Sequence, residues 1–183
     1  MSRGEANMAL AHAILAFLVD RSSSGYELTK QFNESVGFFW QASHQQIYRE
    51  LSKLEDRGWV TFDPVPQAGR PDKKLYRVTA EGQKELTEWI GEPCEPPPGK
   101  EDLLVKIFAG HLVDTEILLA ELERHRQIHL EQLSIYQQIE EQYFGPPERL
   151  DLKEKLSYLT LRRGIRYEMD CVAWCDEAIA MLS

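Results

Sequence analysis

The sequence predicts a mainly α (α+β) protein in two parts: an N-terminal winged helix-turn-helix with a β-hairpin wing, then a C-terminal domain made only of helices. Three observations predict it. Residues 43–82 read SHQQIYRELSKLEDRGWVTFDPVPQAGRPDKKLYRVTAEG. This orders as a capped amphipathic helix, a short strand, a turn-rich basic loop, a second strand and the start of another helix. Four prolines then fall within residues 91–99, which stops any helix and favours a stiff connector. From Glu101 onward the pattern is helical throughout. The expected organisation is residues 1–91, a proline-rich linker at 92–99, and residues 100–183.

The elements follow in order. Ala9–Val19 is apolar enough for a buried helix. Ser24-Gly25-Tyr26-Glu27 fits a capping box and predicts a second helix to about Ser35, with Tyr26, Leu28 and Phe32 available for packing. Gly37-Phe38-Phe39-Trp40 interrupts it. Ser43-His44-Gln45-Gln46 is a second box, opening a third helix that ends near Gly58. Trp59–Asp63 and Lys74–Val78 alternate as paired strands, with Pro64–Asp72 as the loop between them. Thr79 opens a fourth helix that carries Leu86, Trp89 and Ile90.

Beyond the linker, Glu101–Leu112 predicts a short helix and Thr115–Tyr143 a long one, stopped by Gly145-Pro146-Pro147. Asp151, with Glu154 three residues on, caps a last helix toward Leu182. At about 1.5 Å per residue that helix is roughly 45 Å long, more than a small domain needs. Long paired helices leave apolar stripes that a partner must cover. A second copy of the chain is the expected partner, which makes this a dimerisation domain.

The 183 residues are 43% hydrophobic and 28% charged, ordinary for a soluble globular protein, and no apolar run reaches a membrane-spanning length. The opening MSRGEAN is not a signal peptide. Three cysteines, Cys94, Cys171 and Cys175, are too few for a disulfide framework, so a reducing cytoplasm is expected. The net charge of −9 is unevenly divided: residues 1–91 hold 11 Lys/Arg against 12 Asp/Glu, and residues 92–183 hold 10 against 18. An acidic second half weakens general attraction to phosphates and leaves it to a local basic patch.

That patch is on the third helix and the hairpin. At about 100° per residue, Leu51 and Leu54 fall within roughly 40° of Ile47 and define a buried side. Gln45, Arg49 and Ser52 fall opposite, with Tyr48 and Lys53 on the flanks. Gln and Arg can pair bidentately with adenine and guanine edges in the major groove. Ser43, Tyr48 and Lys53 suit phosphates, which position the helix without reading sequence, and Gln46 is a further DNA-binding candidate. Arg70, Lys73, Lys74 and Arg77 make the hairpin basic, with Gly69 and Pro71 shaping its tip, so that it lies over the adjacent backbone or minor groove. The plainer alternatives are a solvated face paired with Glu50, Glu55 or Asp56, and edge-strand protection by charge. Double-stranded DNA is the expected partner. A winged helix serving only as a protein-docking module is the rival, and it has no need of a basic hairpin.

Residues 9–90 resemble the PadR family of bacterial transcriptional regulators. The likeness rests on Gly25-Tyr26-Glu27, Ser43 through Tyr48, Leu51-x-x-Leu54-Glu55, Gly58-Trp59-Val60, Gly69-Arg70-Pro71 and Tyr76-x-Val78-Thr79-x-x-Gly82. Leu104–Phe108, Leu161-Arg162-Arg163 and Trp174-x-Asp176-Glu177-Ala178 extend it through the second half. SHQQIYREL and LTLRR resemble the AphA-like branch. The resemblance implies a homodimer on a palindromic operator, acting as a repressor or activator, and in some members a small aromatic effector.

Phe38, Phe39 and Trp40 form an aromatic cluster suited either to core packing or to an effector pocket. His125 and His129 share a helix face, but Arg126 stands where a zinc-protease motif needs Glu, so no metal is expected. Cys171 and Cys175, four apart beside Val172 and Trp174, read as small buried hydrophobes before a redox pair. No cofactor is implied, no Gly-rich phosphate loop or paired-carboxylate site is present, and the chain reads as a non-enzyme.

Overall fold

The computed structural model describes residues 3–32, 42–66, 72–95 and 101–183, with side chains of the first helix from Ala9 onward. It divides into two compact units, residues 1–98 and 99–183.

In the first unit the order is α1 (Arg3–Asp20), β1 (Ser23–Ser24), α2 (Gly25–Gln31), α3 (His44–Asp56), β2 (Val60–Val65), β3 (Lys73–Val78) and α4 (Ala80–Gly91). Leu10, Ile14 and Leu18 recur at four-residue spacing on α1, with Ala11 and Leu15 beside them, and all five are buried. They meet Leu28 and Phe32, then Ile47, Leu51 and Leu54 of α3, then Val60, Tyr76 and Leu86, in one core. Fully burying an aliphatic side chain contributes about 1.5–3 kcal/mol, so the three α3 anchors alone hold that helix firmly. His12, completely buried, stacks on Trp89 with ring centroids 4.3 Å apart and planes 4° from parallel.

The helix starts are set by side chains. In both Ser24–Glu27 and Ser43–Gln46 the serine oxygen accepts the backbone N–H three residues on, and the Glu or Gln side chain accepts the cap's own N–H. Each box satisfies two donors that a helix start otherwise leaves orphaned. α3 ends where Gly58 adopts φ 74°. There Trp59 N–H bonds the Leu54 carbonyl and Gly58 N–H the Glu55 carbonyl, both at 2.9 Å, a Schellman closure. Thr79 then gathers the junction. Its hydroxyl donates to the Gly58 carbonyl at 2.7 Å and accepts the Gly82 N–H at 3.1 Å, while its N–H bonds the Trp59 carbonyl.

The sheet order is β1-β3-β2, all antiparallel, with β2 and β3 registered from Val60↔Val78 to Val65↔Lys73. Three expectations change. Pro64 and Val65 belong to β2 and not to the loop, because β2 is an edge strand, where a missing N–H is tolerated. Ser23–Ser24 adds a third strand that carries no strand pattern of its own. Tyr26 is 68% exposed, because the inward stripe of α2 runs through Leu28 and Phe32 and Tyr26 points away from it. Ile90 is likewise exposed, whereas Leu86 is buried. The break at Gly37–Trp40 and the Arg70 tip lie outside the described residues.

The second unit is helical: α5 (Asp102–Phe108), a 3₁₀ turn at Gly110–Leu112, α6 (Thr115–Tyr143), a 3₁₀ turn at Pro147–Arg149, and α7 (Leu152–Leu182). Asp151 and Glu154 form a third capping box. Arg126 bonds Asp176, His129 bonds Glu168 and Glu140 bonds Tyr158, so α6 and α7 run antiparallel. Leu122, Tyr136, Leu161, Ile165 and Cys175 are buried in this unit. Among the described residues, no helix is long and apolar enough to cross a membrane.

Candidate nucleic-acid interface

On α3 the apolar anchors Ile47, Leu51 and Leu54, joined by Glu50, are buried, and the remaining side is exposed. Gln45, Arg49 and Ser52 stand on that outward side, as their angular positions require. Arg49 has no carboxylate or hydrogen-bond partner among the described residues. Ser52 hydroxyl donates to the Tyr48 carbonyl at 3.2 Å. Ser43 and Gln46 are exposed but engaged in the cap: the Gln46 amide oxygen takes the Ser43 N–H at 2.8 Å, leaving its NH₂ outward.

Tyr48 has a packing role beyond that of a flank. Its ring lies against His44, centroids 4.4 Å apart, and over the first residue of α2. A Cβ on Gly25 would come within 2.5 Å of Tyr48 Cζ, so a larger residue there would displace the Tyr48 ring from its place over α2.

The wing differs from a row of free cations. Lys73 Nζ lies 2.8 Å from Glu27, Lys74 Nζ 3.3 Å from Glu55, and Arg77 Nη1 2.7 Å from Asp63. Lys74 also rests over the Phe62 ring, 3.8 Å from its centroid, a cation–π contact on the inner face of the hairpin. Lys53 pairs with the buried Glu50 at 2.8 Å. The Lys73 hydrogen bond, with those from the Ser24 backbone and hydroxyl, holds the Glu27 carboxyl down to about 2. Glu27 therefore stays ionised at neutral pH. Sequence spacing reveals the Lys53–Glu50 pair, three residues apart on one helix, but not the others.

The second unit carries a groove of about 820 Å³ lined by α5, α6 and α7, with Leu103, Leu104, Ile128, Tyr167 and Trp174 as its apolar wall and His125 at its edge. His129, also at the groove, is 2.5 Å through Nδ1 from Glu168, whose side chain is nine-tenths buried. Sequence spacing does not reveal that partner: Glu168 is 39 positions away and meets His129 only through the α6–α7 pairing. Desolvation, reinforced by Arg124, pushes the His125 pKa down. Among the described residues, no group of three or more His, Cys, Asp or Glu could hold a metal ion. Burial pushes both the Cys171 and Cys175 thiols up, away from reactive thiolates. Phe38, Phe39 and Trp40 lie outside the described residues.

Residues 14–88 match the transcriptional regulator PadR-like family, and residues 100–183 match the virulence activator alpha C-terminal family. The chain is 40% identical to the probable transcriptional regulator Rv1176c of Mycobacterium tuberculosis, over 96% of this chain and 98% of that one. It is 30% identical to the negative transcriptional regulator PadR of Bacillus subtilis, over 94% and 97%. Among solved structures, the Vibrio cholerae virulence activator AphA superposes with a TM-score of 0.78 at 34% identity, covering 94% of this chain and 97% of that one. The B. subtilis PadR structure in complex with operator DNA gives 0.83 at 29% identity, covering 96% and 99%. The same protein in complex with p-coumaric acid gives 0.77 at 29%, covering 94% and 98%. With a winged helix-turn-helix at its front and this agreement along nearly its whole length, the chain belongs to the PadR-like family of transcriptional regulators.

Proposed function

We propose that this regulator is a homodimer that binds a two-fold-related operator, with α3 of each copy in the major groove and the wing along the adjacent backbone. The observation that carries this reading is Arg49: a cation without a partner among the described residues, on the outward side of a helix anchored by Ile47, Leu51 and Leu54, with Gln45 and Ser52 beside it. Arg and Gln there suit guanine and adenine edges, and Ser43, Gln46, Tyr48 and Lys53 suit positioning contacts. The operator complex of B. subtilis PadR supports the same use of the fold. Residues 1–91 are the reading head, residues 92–99 the linker, and residues 100–183 the part through which two copies join. Exposed Phe108, Leu112, Leu152, Leu156, Leu159 and Met181 in the second unit supply an apolar surface for that joining.

Effector control is the second element of the proposal. The groove between α5, α6 and α7 is of small-molecule size, and B. subtilis PadR is found with p-coumaric acid. A small aromatic compound held there is the proposed signal. Selection of bound sequences from a random duplex pool tests the reading. The expected product is a symmetric motif whose half-sites lie about one helical turn, ~34–36 Å, apart. A pool with no enriched sequence overturns it.

A further inference from the structure

We infer that Glu27, Glu55 and Asp63 are built-in competitors of the DNA backbone: each occupies a wing cation that a phosphate would otherwise take, and together they set how weakly the protein holds DNA. The inference rests on the DNA-binding reading above and extends it to residues that read no base. In the described part of the wing, all three cations are engaged inside their own unit, Lys73 with Glu27, Lys74 with Glu55 and Arg77 with Asp63. The three carboxylates come from three elements, α2, α3 and β2, so the arrangement is not an accident of one helical spacing. Arg49 alone on the outward face of α3 has no such competitor among the described residues.

The physical consequence follows from counterion release. Attraction of a protein to duplex DNA without regard to sequence grows with the number of phosphates its cations neutralise, at about 0.9 in the salt slope for each. A lysine already 2.8–3.3 Å from a carboxylate adds little until that bond is exchanged for one to phosphate. The carboxylate freed by the exchange then stands close to the backbone and repels it. Wing contacts are thereby weakened on every sequence, while the contacts expected of Arg49 are left at full strength. Residence on non-operator DNA is shortened, and affinity depends more on the bases that α3 meets.

The test compares the full-length wild type with Glu55→Gln, Asp63→Asn and the double variant. Each is bound to a random-sequence duplex and to a selected operator duplex across a KCl series from about 50 to about 300 mM. Asp63 and Arg77 are both more than half exposed, so Asp63→Asn leaves the core untouched. For the double variant the expected result is roughly five- to tenfold tighter binding to the random duplex at low salt, and a slope steeper by about one to two. Adding Lys74→Gln to Glu55→Gln should cancel that variant's gain, closing a double-mutant cycle. Unchanged affinity and slope in folded Asp63→Asn and in the double variant would overturn the inference. Failure of the wild type to bind either duplex would instead overturn the DNA-binding reading beneath it.

Discussion

Under the proposed function, Arg49 differs from its cationic neighbours in having no partner among the described residues to give up on meeting DNA. Arg49→Ala should cost about 1–3 kcal/mol at a single operator position and leave other positions unchanged, read by binding to a set of singly substituted duplexes. A uniform loss across all of them would make Arg49 a phosphate contact. Gly82 carries a different constraint. A Cβ there would run into the Trp59 backbone carbonyl, which the Thr79 N–H and hydroxyl hold in place. Gly82→Ala should therefore destabilise the first unit by about 1–3 kcal/mol, visible as a lower Tm, although the substitution favours helix by propensity. Single residues were legible in the sequence where their role depends on local spacing. Gln45, Arg49 and Ser52 lie outward as their helical angles require. Glu50, named only in the alternative of a solvated face, is buried, because it falls about 60° from Ile47 and about 40° from Leu54 on the packed side.

At the scale of elements, the caps were the most legible feature, since Ser24, Ser43 and Asp151 each meet a partner three residues on. α6 runs from Thr115 to Tyr143 as expected, because Gly145-Pro146-Pro147 leaves a helix nowhere to continue. Strand ends were less legible: β1 has only two residues, and its pairing with Leu75 and Tyr76 depends on chain some fifty positions away. The wing's ion pairs were hidden for the same reason, with Glu27 and Lys73 46 residues apart. The α3 cap separates two roles. Ser43→Ala and Gln46→Ala each remove one bond of the box and should each cost about 0.5–2 kcal/mol of stability. If Ser43 also meets a phosphate, Ser43→Ala alone should lose several-fold more operator affinity than Gln46→Ala, measured well below both Tm values.

For the molecule as a whole, the proposed function turns on two copies joining their reading heads. Leu156 and Leu159 are more than half exposed on one side of α7. If the proposed homodimer joins there, replacing both with Glu should give a monomer in sedimentation experiments. It should weaken operator binding by about 100-fold or more, because the second half-site no longer gains effective concentration from the first. A variant that stays dimeric would put the interface elsewhere on the second unit. The uneven charge fits this division of labour, since the acidic half adds nothing to DNA attraction and leaves it to the small basic face. Thr79 adds a mechanical consequence. One residue ties the end of α3, the foot of the hairpin and the start of α4 through the Gly58 and Trp59 carbonyls and the Gly82 N–H. These bonds tie α3 and its hairpin together at this junction. In the proposed dimer, a signal arriving from elsewhere would act by steering each head toward the groove or away from it, with α3 and its wing moving together.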